Sequence, residues 1–113
     1  MTKVSIGLPV FNGEQYVQQA IEAIRAQTHQ DLEILISDNN STDGTRNICE
    51  KYAEVDNRIR YVRQDQNIGA QRNFEFVLNN ATSEFFAWAA VDDLRESTFI
   101  EALLRAIHAK SDV

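Results

Sequence analysis

Four short apolar runs, each followed by a stretch with helical spacing, constrain this chain more than any other feature. Residues 4–8 are rich in aliphatics and close on Pro9; residues 32–36 close on Ser37, Asp38, Asn39 and Asn40; residues 59–62 form a shorter run; residues 85–91 end on Asp92 and Asp93. Behind these runs, apolar residues recur every three or four positions: Val17, Ala20, Ile21 and Ile24; Ile48, Tyr52 and Ala53; Phe74, Val77 and Leu78; Phe99, Leu103 and Ile107. That spacing puts them on one helical face. Strand and helix in alternation, four times over, predict an α/β protein, a Rossmann-like three-layer α/β/α arrangement around a mostly parallel four-stranded sheet. The apolar runs are continuous rather than alternating, as in strands covered on both faces. Proline cannot donate to a ladder, so the first strand is predicted to stop at Leu8. Ser111, Asp112 and Val113 read as leaving the fourth helix toward another strand.

A chain of 113 residues is enough for one domain and a proper core. The formal net charge is −6, which disfavours nucleic acid as a partner, because backbone-binding proteins carry basic patches. The single cysteine, Cys49, allows no internal disulfide and falls among apolar helical positions, where it reads as packing. No run approaches the ~20 apolar residues of a membrane span, and no secretory signal opens the sequence. A cytoplasmic chain is expected, peripheral to the membrane if it belongs to a longer protein.

In an open parallel sheet, ligands bind beyond the carboxyl ends of the strands. The polar clusters of this chain fall at those predicted ends: residues 9–14 (PVFNGE), 38–44 (DNNSTDG), 65–73 (DQNIGAQRN) and the Asp92–Asp93 pair. Each has a structural reading. Asn, Asp, Gly and Ser are ordinary turn and capping residues, and residues 41–44 alone read as a capped loop. Phe11 alone reads as core, and Arg72 alone as a solvated helix residue. The adjacent carboxylates are harder to absorb: they repel each other, only Arg95 follows closely, and a helix dipole would accommodate them in part. A divalent cation and a phosphate-bearing ligand would use them, since Mg²⁺ takes one or two carboxylates and completes its shell with water and phosphate oxygens.

Residues 4–45, VSIGLPVFNGEQYVQQAIEAIRAQTHQDLEILISDNNSTDGT, resemble the opening of family 2 glycosyltransferases, which have the GT-A fold; Pro9, Asn12, Gln27, Glu33, Asp38, Ser41, Thr42, Asp43 and Thr45 match its pattern in order and spacing. NIGAQRNFEF resembles the next segment through Asn67, Gly69, Arg72 and Asn73, and VDDL stands where the family has its metal-binding aspartate motif. The resemblance implies transfer of a sugar from a nucleotide-diphosphate sugar, typically UDP-linked, to a saccharide or lipid-linked acceptor. By that resemblance the nucleotide site comprises Pro9, Phe11, Asn12, Glu14, Asp38, Arg72 and Asp92. Phe11 would stack on the base, Asp38 would accept a hydrogen bond from it, and Arg72 would lie near base and ribose. Asp92 would contact the ribose or sugar, and Asp93 would bind Mg²⁺ or Mn²⁺ at the diphosphate. Two departures accompany it. Ala90 stands where the family often has an acidic residue, and the family's catalytic domain is considerably longer. The resemblance therefore implies a donor-binding half, with the general base and acceptor platform beyond Val113. An uncovered sheet edge and helix face would favour a homodimer.

Two other classes are separable. A phosphoacceptor receiver domain needs an acidic pair after the first strand, where Phe11-Asn12-Gly13-Glu14 stands, and a lysine after a fifth strand. A non-catalytic nucleotide-sugar-binding or assembly module shares the donor residues and differs in showing no turnover.

Overall fold

The computed structural model describes residues 2–89 and 97–111. Its elements run β1 (Val4–Val10), α1 (Val17–Arg25), β2 (Leu32–Asp38), α2 (Thr45–Val55), β3 (Ile59–Arg63), α3 (Ala70–Asn80), β4 (Phe85–Trp88) and α4 (Phe99–Ser111). The sheet order is β3-β2-β1-β4, with every pairing parallel. From β1 the chain steps outward through β2 to β3, then crosses back to β4 on the far side of β1. Crossovers of one hand put their helices on one face while the chain moves outward and on the other when it returns. Accordingly α1 and α2 pack together on one face, and α3 lies against β1 and β2 on the other.

The side-chain alternation of the central strands divides the two layers. Val4, Ile6, Leu8 and Val10 of β1 and Leu32, Ile34 and Ile36 of β2 join Ala20, Ile21, Ile24 and Cys49 in the main core. Ile100 and Leu104 of α4 belong to the same cluster, where the sequence pattern pointed to Leu103 and Ile107; Leu103 is exposed. The α3 face is more polar. Ser5, Glu33 and Ser37 are buried there, and α3 itself buries only Asn73 and Val77. Gly7 makes the close approach of α3 feasible: a Cβ on it would meet Val77 Cγ1 at 2.5 Å and Phe86 Cζ at 2.6 Å. Phe74 and Leu78, predicted as a packed helix face, stand 48% and 53% exposed, and Phe74 packs on Trp88 with ring centroids 5.0 Å apart. Among the described residues no second helix lies beside α3 to cover them.

Several predicted boundaries move, β2 running on to Asp38 and β3 to Arg63. β1 continues through Pro9 to Val10, because the Val10 carbonyl still accepts from Asn39 N–H of the β2 side (2.9 Å) and proline withholds no bond there; the pairing with β4 stops at Gly7–Trp88. Ser111 remains in α4 and does not leave it.

Candidate functional site

Beyond the carboxyl ends of β1 and β2, on the α3 side, lies an open cleft of about 570 Å³. Pro9, Phe11 and Tyr16 come to it from β1 and the loop after it, Asn39 from the end of β2, Asn67 from the β3–α3 loop and Phe74 from α3. Phe11 and Tyr16 are 46% and 42% exposed, large apolar surfaces left uncovered at the cleft.

The β1–α1 and β2–α2 loops are joined by a reciprocal set of hydrogen bonds. The backbone N–H groups of Asn12, Gly13 and Glu14 donate to Ser41 Oγ (2.8 Å), Thr45 Oγ1 (2.9 Å) and Asp43 Oδ2 (3.2 Å). In return, the N–H groups of Thr42 and Gly44 donate to Asn12 Oδ1 (2.8 Å) and Glu14 Oε2 (3.2 Å). Asp43 also accepts from Thr45 N–H (3.0 Å) and Thr45 Oγ1 (2.6 Å), which closes the start of α2 without a side chain on its cap residue, Gly44. These donors hold the Asp43 carboxyl below its ordinary range against the opposing effect of burial. The STDGT pattern thus ties two loops together, and Asn12 and Glu14, predicted as nucleotide contacts, each give one side-chain oxygen to that tie.

Asp38 also lies apart from its predicted place. β2 alternation sends it to the α2 side with Ile34 and Ile36, and it is fully buried. Its Oδ1 accepts from Ser41 N–H (2.8 Å); its Oδ2 accepts from Tyr61 Oη (2.6 Å) and Arg63 Nη1 (3.5 Å). Burial first, and the Asp38 carboxylate second, push the Tyr61 phenol well above its ordinary pKa, so it remains a donor. The residue that faces the cleft is the next one, Asn39, which the sequence reading passed over. The signal was present: period-two alternation puts Asp38 on the core face once Ile34 and Ile36 are there.

Arg72 stands exposed in the first turn of α3, outside the cleft lining. Its neighbour Asn73 is buried and pins that turn to β2, accepting from Ser37 Oγ (2.6 Å) and donating to the Ser37 carbonyl (3.0 Å). Gly69, just before α3, has φ +89°, a conformation that glycine adopts at least cost, and no atom lies within 4 Å of where a Cβ would stand. Asp92 and Asp93 lie outside the described residues. The β1–β4 register places the end of β4 beside β1, the strand that leads through Pro9 to Phe11. Among the described residues no group of three or more His, Cys, Asp or Glu could hold a metal ion. Nor is any described helix long and apolar enough to cross a membrane.

This sheet order and helix placement define the GT-A class of α/β proteins. The structure of S. aureus TarS in complex with UDP matches with a TM-score of 0.81 over 96% of this chain and 32% of that one, at 24% identity. TarS in complex with UDP-GlcNAc matches with a TM-score of 0.69 over 81% of this chain and 27% of that one, at 26% identity. The model of glycosyl transferase family 2 matches residues 5–113, and the chain belongs to that family. It is 35% identical over 111 residues to the putative glycosyltransferase EpsH of Bacillus subtilis, covering 97% of this chain and 32% of the relative. It is 33% identical over 106 residues to the GalNAc(5)-diNAcBac-PP-undecaprenol beta-1,3-glucosyltransferase of Campylobacter jejuni, covering 93% of this chain and 34% of the relative. The chain thus spans about a third of the length of these relatives.

Proposed function

We propose that this chain is the donor-binding part of an enzyme that transfers a sugar from a nucleotide-diphosphate sugar, UDP-linked, to a saccharide or lipid-linked acceptor. The observation that carries the reading is the cleft past the ends of β1 and β2, with the Phe11 ring exposed on it and the loop beneath it fixed by five reciprocal hydrogen bonds. A base lies against an aromatic ring, and the Pro9 backbone offers a carbonyl beside it. Support for a uridine nucleotide comes from the 26% identical TarS structure, which holds UDP-GlcNAc. Support for a lipid-linked acceptor comes from the name of the Campylobacter jejuni relative. Asp38 serves this site from behind, by fixing Ser41, which in turn accepts from Asn12 N–H. Arg72, exposed in the first turn of α3, would serve the base and ribose side of the donor.

The adjacent carboxylates of Asp92 and Asp93 are hard oxygen donors of the kind that Mg²⁺ and Mn²⁺ take. Asp93 would hold the cation and Asp92 the ribose or sugar. The cation would supply stabilisation of the charge that develops on the departing diphosphate. The residues named here serve the donor, and none of them is assigned as the general base or the acceptor platform. General-base catalysis is worth ~10²–10⁴-fold.

The test is calorimetric titration of UDP and UDP-sugars into the chain with Mn²⁺ and again in excess EDTA. Binding that weakens at least tenfold in EDTA, and weakens likewise in Asp93→Asn, is the expected result, about the worth of one strong charge contact. Absence of binding in both conditions would overturn the reading; equal binding in both would remove the cation from it.

A further inference from the structure

Two carboxamides in the wall of the cleft are oriented in one direction only. Gly69 N–H donates to Asn67 Oδ1 (2.8 Å), and Ile68 N–H donates to Asn39 Oδ1 (2.8 Å). A backbone N–H can only donate, so each bond fixes which end of its carboxamide is oxygen. With its oxygen committed to Ile68, Asn39 turns its N–H₂ toward Asn67 and donates to the same Oδ1 (3.0 Å). Turning Asn67 over would set its N–H₂ against two donors, and turning Asn39 over would set its N–H₂ against Ile68 N–H. Asn39 is itself held: it is 2% exposed, and its N–H donates to the Val10 carbonyl (2.9 Å).

What is left over is the amide nitrogen of Asn67. The residue is exposed and lines the cleft, its oxygen is occupied twice, and its Nδ2 has no partner among the described residues. It can offer an occupant a donor and no acceptor.

We propose that Asn67 is a specificity-determining residue of the cleft, selecting an occupant that presents a carbonyl oxygen there rather than an amino group, and that Asn39 is the positioning residue that sets this selection. The inference rests on the nucleotide reading above and deepens it. Uracil and cytosine share their shape and differ at one edge, where uracil carries a carbonyl and cytosine an amino group. A fixed donor accepts the first and leaves two donors facing each other with the second, and a site that must leave a polar group unpaired discriminates strongly.

The experiment is titration of UDP and CDP, each with Mn²⁺, into the wild-type chain, Asn67→Ala, Asn39→Ala and the double variant. The expected result is a preference for UDP of about tenfold or more in wild type, the worth of one net hydrogen bond. Asn67→Ala should bring the two affinities together. Asn39→Ala should lower the preference in the same direction, and should add nothing once Asn67 is alanine. A merely structural loss would weaken both nucleotides alike and leave their ratio unchanged. A ratio unchanged in Asn67→Ala, or a wild type that prefers CDP, would overturn the proposal while leaving nucleotide binding intact. Failure of the wild type to bind either nucleotide would overturn the functional reading itself. Asn67 is exposed, so its variant carries the test even if Asn39→Ala does not fold.

Discussion

Asp38 shows how much one residue's place depends on the strand that holds it. A carboxylate at the end of a strand, in a loop rich in Asn, Ser and Asp, reads as a ligand contact. The fold instead turns it toward α2 and satisfies both oxygens with Ser41, Tyr61 and Arg63. Tyr61 is therefore predicted to matter for stability. Tyr61→Phe would remove the 2.6 Å donor from a fully buried carboxylate, a loss that typically costs ~1–3 kcal/mol. Urea denaturation should show the unfolding free energy falling by that amount, read as a lower midpoint at unchanged slope, and an unchanged midpoint would mean that Arg63 and Ser41 suffice. The residue types of the site were legible in the sequence, as were Pro9 and Phe11 as cleft residues. The sequence reading chose Asp38, whereas Asn39 is the one that lines the cleft, and the difference turns on which face of β2 carries α3. Cys49 is the simpler case. It read as packing and is fully buried, and burial pushes its thiol up to about 12.

At the scale of elements, the two ends of the sheet are built differently. The carboxyl end has loops tied by neutral and anionic side chains to backbone N–H groups. The amino end is tied by an ion cluster: Asp56, after α2, accepts from Arg25 Nε of α1 (3.2 Å) and from Arg58 Nη2 (2.8 Å), while Arg58 Nη1 donates to the Gln30 carbonyl before β2 (3.0 Å). The Arg58 guanidinium holds the Asp56 carboxyl down to about 2, from an ordinary 3.8. A carboxyl with a depressed folded pKa stabilises the fold above its unfolded value and loses that contribution as pH falls through the folded one. The melting temperature should therefore drop between about pH 4 and pH 2, over and above the general acid effect. Asp56→Asn should be less stable at pH 7 and show a shallower decline across that window. Equal pH profiles for the two proteins would contradict this role. The Arg25 and Gln30 contacts could not be read from the sequence, since Arg25, Gln30 and Asp56 come together only through the packing of α1 beside α2.

For the molecule as a whole, the order of strands was the part that composition and periodicity could not supply. Alternating strands and helices predicted a parallel sheet with polar clusters at one end, and the structure has both. The return of the chain to β4 on the far side of β1 is what places α3 on the face opposite α1 and α2. That arrangement leaves Phe74 and Leu78 exposed and opens the cleft on the α3 side. A second concavity of about 320 Å³ lies on the opposite layer, lined by Gln18, Ile48, Lys51, Tyr52 and Val55. The two are far apart in the topology and differ in character, so the location of binding is a sharper question than its existence. The direct measurement is a ¹H–¹⁵N correlation spectrum of the labelled chain during titration with UDP and Mg²⁺. Binding in the α3-side cleft should shift the amides of Phe11, Asn39, Asn67, Ile68, Gly69 and Ala70 progressively while those of Gln18, Ile48, Lys51, Tyr52 and Val55 stay in place. Shifts confined to that second group, or a spectrum indifferent to the nucleotide, would contradict it.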